Sequence, residues 1–237
     1  MKITREQLQR LRHRHFGYRV TLCAEVLVLL LLPLAQLHPW LLSLLLIGLA
    51  LVLVFFVSRY SSLRATRPLI YGLGGLAVVL ELIWHLALRF DPPLGHLLTV
   101  PHVVVWVLFL FIAVVRKVKT LVREPFVTVS VVLGAASGYL LVGIAGGVLL
   151  TALWVLHPLA FAASALPAMP PTGGSGLPVA PALMAASFGL LTTVGTAVFR
   201  SSDVGGQVVV SVITISGQLY VAILIALILG RFHQRAL

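Results

Sequence analysis

Three ionisable side chains in the apolar part of the chain could do proton or metal chemistry. Glu81 and His85 are four residues apart, which places them on one face of a helix, and His102 follows in the next apolar run. An acid in a membrane helix is by default a functional candidate. Histidines at a helix interface are more often packing residues, and this is the interpretation that we favour. No metal site is assigned, and Glu81, His85 and His102 are kept as candidates only.

A second stretch, LLTTVGTAVF at 190–199, has small and β-branched residues around Gly195. Its meaning depends on where the chain crosses a membrane. The protein has 237 residues, of which 60% are hydrophobic and 10% charged, whereas a soluble domain carries about 25% charged residues. The composition therefore predicts an integral membrane protein. Its lone Cys23 excludes an intramolecular disulfide and a thiolate metal cluster.

Six hydrophobic runs are long enough to cross about 30 Å of hydrocarbon as helices. They are 20–37, 40–57, 69–88, 97–115, 126–156 and 206–230. With both termini in the cytoplasm, all of the 17 Lys and Arg residues except Arg89 and Arg200 fall on the inner side, where short loops collect them. The net charge of +11 is thus a topology signal. It also favours anionic lipid head groups and gives no reason to expect nucleic acid binding.

A segment of another kind separates the last two runs. Residues 161–181 are rich in Ala, Pro, Gly and Ser and predict an extracellular loop. Residues 182–191 are apolar but only about half as long as a spanning helix, so they should enter the membrane and turn back through 190–199. Non-helical backbone at that depth is tolerated only where it is buried in protein or lines a watery path. This arrangement is itself evidence for a pore.

Residues 182–232 resemble the pore module of the tetrameric potassium channel superfamily. They comprise a half-length helix ending in Thr192-Thr193, a filter-like Thr193-Val194-Gly195, and a last helix with a glycine about twenty residues later. The resemblance implies an all-α membrane protein with six transmembrane helices, a re-entrant pore helix and a filter, assembled as a homotetramer. It also implies passive conduction of monovalent cations, potassium above all, across the bacterial inner or plasma membrane.

The resemblance assigns the ion-conducting filter to Thr192, Thr193, Val194, Gly195, Thr196 and Ala197. In such filters, rings of backbone carbonyls from four chains replace the hydration shell of the ion. Thr193 would offer a hydroxyl and a carbonyl, and glycine at 195 permits a positive φ. The family pattern TVGYG is changed here to TVGTA, and Ala at a position that needs positive φ costs on the order of 1 kcal/mol. Weakly selective cation conduction is therefore the alternative to potassium selectivity.

The last helix supplies a candidate cavity and gate. One of its faces is polar near the filter and apolar toward the cytoplasm, where an apolar ring could close a path by dewetting. This face consists of Thr214, Gln218, Val221, Ile225 and Leu229. Gly217 would be either a hinge, because a mid-helix glycine weakens the helix, or a site of close packing. Packing is the better interpretation for the small-xxx-small steps of the fifth run, formed by Gly134, Gly138, Gly143 and Gly147.

The chain divides into a basic cytoplasmic segment at 1–19, a four-helix membrane domain at 20–119 and a pore domain at 120–237. The four-helix domain resembles a voltage sensor in its number of helices. A sensor needs several charges inside the field, and the run 97–115 holds no Lys or Arg. We therefore expect no steep voltage gating by the usual route.

Charged residues near the inner ends of the runs have other expected roles. Arg116, Lys117 and Lys119 follow the fourth run, where we expect topology and lipid contacts. Glu25 lies in the inner part of the first run and should pair with Arg19 or another cytoplasmic base.

Two functions of other classes stay open. A haem protein could use His85 and His102 as axial ligands on consecutive helices, but this leaves the TTVG segment unexplained. A secondary transporter also contains broken helices, but the first half of the chain holds no second half-length segment. No nucleophile, base and acid constellation is present in the sequence, so we expect no enzyme activity. The resemblance implies no cofactor apart from the permeant ions.

Overall fold

The computed structural model of the chain describes residues 5–60, 67–122, 128–161, 179–195, 199 and 203–233. Within these ranges the structure is all-helical and holds no β-strand. The helices, in chain order, are α1 (Arg5–Leu30), α2 (Leu32–Leu37), α3 (Pro39–Tyr60), α4 (Arg67–Phe90), α5 (Pro92–Val122), α6 (Val129–Leu156), α7 (Ala180–Leu191) and α8 (Val204–His233). A 3-10 turn, Pro158–Ala160, follows α6.

Four helices are long and apolar enough to cross a membrane, which supports the prediction of a membrane protein. Their spanning portions are Pro68–Phe90, Pro92–Val122, Val129–Leu156 and Val204–Ala226. They correspond to the third, fourth, fifth and sixth hydrophobic runs. Among the described residues, the first two runs do not form spanning helices by this measure. The predicted count of six crossings is therefore confirmed only for four.

The first run has a local reason for falling short. The first run begins inside α1, which continues without a break from the basic N-terminal segment. The helix is interrupted at Leu31, just before Pro33, because proline has no amide N–H for the helical hydrogen bond. In the second run, α3 itself extends over Pro39–Tyr60, and the side chains described within it form the apolar stretch Trp40–Phe55.

Helix α6 is the central element, since α1, α5, α7 and α8 all pack on it. The spanning portion of α6 is 56% buried, against 17% for α8. Each glycine of its small-residue stripe receives a large side chain from a neighbouring helix: Gly134 receives Tyr18, Gly138 receives Tyr220, Gly143 receives Phe188, and Gly147 receives Met184. The packing interpretation of these four glycines is confirmed.

Helix α7 is the predicted half-length helix. It has 12 residues and lies against both α6 and α8. The Ser187 hydroxyl donates to the Gly143 carbonyl at 2.7 Å, which fixes α7 on the glycine stripe of α6. Gly217 of α8 packs on the last residue of α7, since a Cβ at position 217 would lie 2.7 Å from the Leu191 carbonyl oxygen. Close packing is therefore the interpretation of Gly217 that the structure favours over a hinge.

A contact between Phe161 and Phe199 closes the segment that contains α7. The two residues form an isolated antiparallel bridge, their rings are 4.4 Å apart, and both are buried. The chain thus returns from the end of α7 to the end of α6. Most of the predicted extracellular loop, residues 162–178, lies outside the described residues.

Candidate functional site

The backbone after α7 folds back onto the C-terminal turn of that helix. The last four carbonyls of a helix have no hydrogen-bond partners within it. Here, amide N–H groups of the following residues donate to three of these carbonyls. The Thr192 N–H donates to Phe188 O at 3.0 Å, Thr193 N–H to Leu190 O at 3.1 Å, and Gly195 N–H to Gly189 O at 3.1 Å. The segment Thr192–Gly195 is thereby held in one defined conformation.

Two hydroxyl groups from neighbouring helices complete this capping. Tyr139 of α6 donates from its Oη to the Leu191 carbonyl at 3.0 Å. Thr214 of α8 donates from its Oγ1 to the Leu190 carbonyl at 3.2 Å. The orientation of the two last peptide groups of α7 is therefore set by side chains of α6 and α8 as well as by the local chain.

Thr193 and Gly195 have positive φ angles of 62° and 65°. Gly195 thus adopts the conformation that its residue type permits at low cost. A threonine with positive φ is uncommon, because β-branched side chains crowd the backbone there. Strained backbone of this kind persists only where the surroundings hold it, and it clusters at functional sites. The alternation of positive φ at 193 and 195 around Val194 marks this segment as the main candidate site.

The candidate segment is fully open in the single chain. Thr192, Thr193, Val194 and Gly195 are all exposed, and Val194 keeps 83% of its surface accessible. Its starting point lies level with the middle of α8, because Thr214 and Gly217 contact the end of α7 and are central in the spanning portion Val204–Ala226. The sequence-predicted filter residues Thr196 and Ala197 lie outside the described residues.

The predicted cavity face of α8 is largely accessible. Gln218 and Ile225 are exposed and Val221 is partly buried, whereas Thr214 is engaged with the Leu190 carbonyl. Leu229 belongs to the last part of α8, whose side chains are outside the described set. The structure therefore brings Thr214 to the end of α7 and leaves Gln218 and Ile225 exposed on the subunit.

The three ionisable candidates separate into two groups. Glu81 and His102 form a buried pair, with Oε2 of Glu81 2.7 Å from Nε2 of His102. His85 instead contacts the Ser43 hydroxyl through its Nδ1 at 3.2 Å. In the part of the chain that the structure describes, no three His, Cys, Asp or Glu side chains converge as a metal site would require.

Lys117 is buried, so the expectation that it contacts lipid is wrong. Its ammonium group lies 3.4 Å from Oε1 of Glu25, 3.2 Å from the Thr21 hydroxyl, and also contacts the hydroxyl of Ser137. Helix α5 continues to Val122, which turns this cation inward between α1 and α6. Arg116 is buried as well, so of the three basic residues only Lys119 is exposed. Glu25 has the basic partner that the sequence predicts.

Sequence reasoning missed the side chains that support these sites. A lone tyrosine among the glycines of α6 gives no signal that its hydroxyl reaches α7, and Tyr139 was therefore not a candidate. Trp84 stacks on the His102 ring, with centroids 4.4 Å apart and planes within 6°. In the sequence, only the position of Trp84, one helical turn after Glu81 and next to His85, could have indicated this contact.

Comparisons with protein-family models, with curated proteins and with solved structures found no match for this chain.

Proposed function

We propose that the protein is a potassium-channel-like ion channel that conducts monovalent cations passively through the segment Thr193-Val194-Gly195-Thr196. The observation that carries the proposal is the conformation of Thr192–Gly195. Positive φ at Thr193 and Gly195, on either side of Val194, can turn successive carbonyls toward one side of the segment. Such a row of carbonyls is what replaces the water around a dehydrated cation.

The position of the segment supports the same function. It follows a half-length apolar helix and starts at the mid-height of two helices that are long enough to span a bilayer. Exposed non-helical backbone at membrane depth is stable only against protein or a water-filled path. In the proposed assembly, four copies place their exposed segments around one axis and satisfy both conditions together.

The proposed architecture comprises six crossings, with α1 and α2 as the first and α3 as the second. Both termini then lie in the cytoplasm of a cell membrane, and the subunits form a homotetramer in contact with anionic lipid. The exposed face of α8 supports the assembly, because a spanning helix buried to only 17% in one subunit has surface available for neighbours. No voltage gating, enzyme activity, resident cofactor or nucleic acid partner belongs to this proposal.

The haem alternative finds little support in the histidine contacts. His102 is paired with Glu81 and stacked under Trp84, and His85 is bonded to Ser43. A haem protein would need these rings as axial ligands. For the transporter alternative, the break between α1 and α2 interrupts a helix in the first half of the chain, but the six-residue α2 is no counterpart of the 12-residue α7. Weakly selective cation conduction stays the alternative within the same class, because Thr196-Ala197 departs from the family pattern.

The test is the bi-ionic reversal potential of the purified protein in planar bilayers, with potassium on one side and sodium on the other. A reversal near the potassium limit is the expected result. A reversal near zero would assign the weakly selective alternative. Two variants test whether the current passes through this segment. Gly195→Ala should reduce the current, whereas the control Gly75→Ala should not, because Gly75 is an exposed helical glycine with open space around it. Current that survives Gly195→Ala unchanged, or no current at all, would contradict the proposal.

A further inference from the structure

A small cavity lies among five helices, away from the candidate filter segment. Its volume is about 30 Å³, and about 10–15 Å³ suffices for one water molecule. Polar and apolar groups from α3, α4, α5, α6 and α7 line it, among them Ser43, Glu81, His102, Thr151, Ala180 and Met184. The cavity therefore has room for water beside a few hydroxyl and ionisable groups, and it reaches the first turns of α7.

The Glu81–His102 pair at this cavity is held in a fixed geometry. Both side chains are at most 6% exposed, and Oε2 of Glu81 is 2.7 Å from Nε2 of His102. The Trp84 ring covers the imidazole, and its Nε1–H donates to the Thr99 hydroxyl at 2.9 Å. This arrangement leaves the other ring nitrogen of His102, Nδ1, buried without a hydrogen-bond partner. A buried nitrogen without a hydrogen-bond partner lowers stability. A further ligand that bonds to Nδ1 would therefore stabilise the site.

The net charge of the Glu81–His102 pair and its neighbours indicates which ligand the site would bind. From α3, α6 and α7 the cavity receives hydroxyl and apolar groups but no titratable side chain among the residues that line it. On α4 the neighbouring titratable group is His85, which is bonded to Ser43. With His102 neutral, the site holds one net negative charge from Glu81. One additional proton makes the pair neutral overall, and a buried site without net charge costs less than one with an unbalanced charge.

We propose that this cavity is a hydrated proton-binding site, in which His102 Nδ1 takes up one exchangeable proton, Glu81 balances its charge, and water accepts the Nδ1–H hydrogen bond. The proton comes from bulk water and returns to it on release. Release leaves a net negative charge beside the N-terminal turns of α7, the end of a helix that attracts negative charge. The site is distinct from the filter segment, and the inference does not rest on the proposed conduction.

The test uses the full chain in lipid nanodiscs with ¹⁵N-labelled histidine side chains. Nuclear magnetic resonance distinguishes protonated from unprotonated ring nitrogens across about pH 5 to 8. We expect the Nδ1 signal of His102 to show a change from protonated to unprotonated as the pH is raised. In Glu81→Gln, which keeps an oxygen for Nε2–H but removes the charge, the transition should be lost and Nδ1 should stay unprotonated. His85→Gln, one turn further along α4, should leave the transition of His102 unchanged.

The water ligand has its own measurement. Magnetisation transfer from water to the His102 ring should be present in the wild type and lost in Ala152→Leu, because Ala152 lines the cavity and leucine fills it. If Ala152→Leu fails to fold, Thr151→Val removes one lining hydroxyl with little change in shape and should weaken the same signal. Transfer that is absent in the wild type would overturn the hydrated site.

Two further outcomes would overturn the proton-binding site. One is a wild-type Nδ1 that stays unprotonated throughout the pH range. The other is an identical transition in Glu81→Gln. Because these signals do not depend on current, a chain that conducts nothing but shows the His102 transition would contradict the proposed function and support this inference. A conducting chain without the transition would do the reverse.

Discussion

Individual hydroxyl groups hold the end of α7 in this protein. Tyr139 and Thr214 bond the last two carbonyls of that helix at 3.0 and 3.2 Å, and both come from helices that are long enough to span a membrane. Under the proposed function, these carbonyls lie just before the first ion-binding position. Removing a donor would free the peptide group to rotate and would loosen the geometry of Thr193.

Tyr139→Phe should therefore reduce discrimination between potassium and sodium. The lost hydrogen bond is worth about 1 kcal/mol, which corresponds to about a fivefold change in the permeability ratio. The measurement is the bi-ionic reversal potential. Tyr220→Phe is the matched control, since Tyr220 also donates to a backbone carbonyl, that of Ala135 at 2.8 Å, but away from α7. Equal shifts in both variants would argue against a specific role of Tyr139.

A second prediction for individual residues concerns the buried ion pair of Glu25 and Lys117. Removing one partner of a buried pair leaves an uncompensated charge and costs about 3–5 kcal/mol. Glu25→Ala should therefore destabilise the protein strongly, as measured by unfolding in mixed detergent micelles. The double variant Glu25→Ala, Lys117→Met should recover most of the lost stability. A double variant as unstable as the single one would show that the hydroxyls of Thr21 and Ser137 already satisfy Lys117.

Among the elements, the long apolar helices and the half-length helix could be predicted from sequence, whereas the break in the first run could not. Helices α4, α5, α6 and α8 coincide with apolar runs because each run is long, uninterrupted and free of proline except at Pro101. The break at Leu31 depends on how one proline is accommodated. The inward turn of Lys117 depends on α5 continuing past its apolar run, which hydropathy does not reveal.

The contact of α7 with α8 depends on a missing side chain at Gly217. In Gly217→Ala the new Cβ would meet the Leu191 backbone carbonyl at 2.7 Å, so α8 must move away from α7. We expect lower thermal stability, in contrast to Gly75→Ala, where the space is open and the better helix propensity of alanine favours stability by about 1 kcal/mol. Equal melting temperatures for the two variants would contradict the close-packing interpretation of Gly217.

At the scale of the whole molecule, the exposed face of α8 is a feature that one subunit leaves unexplained. Six of its exposed apolar residues recur every three or four positions and form one stripe: Val204, Val208, Val212, Ile215, Leu219 and Ile223. Lipid could cover such a stripe. The exposed segment Thr192–Gly195, however, needs protein or water at membrane depth, and this favours contact with further copies.

We therefore expect a tetramer in native mass spectrometry from mild detergent. In a Cys23→Ala background, Val212→Cys should give disulfide-linked subunits, since Val212 lies on the stripe. Leu82→Cys is the matched control on α4, because Leu82 and Val212 are exposed to 51% and 52% in the single subunit. A monomer in native spectra, or equal cross-linking at the two positions, would argue against assembly through α8.

The glycine stripe of α6 also has a consequence for how this sequence can diverge. Each of the four glycines packs against one large side chain of another helix. A larger residue at a glycine position is therefore tolerated only when its partner is replaced by a smaller residue. Related sequences should therefore vary in pairs, with position 138 coupled to 220 and position 147 coupled to 184. Gly72 and Gly75 on α4, which face open space, should drift independently. Among related sequences, α6 should then show the fewest substitutions of all the helices.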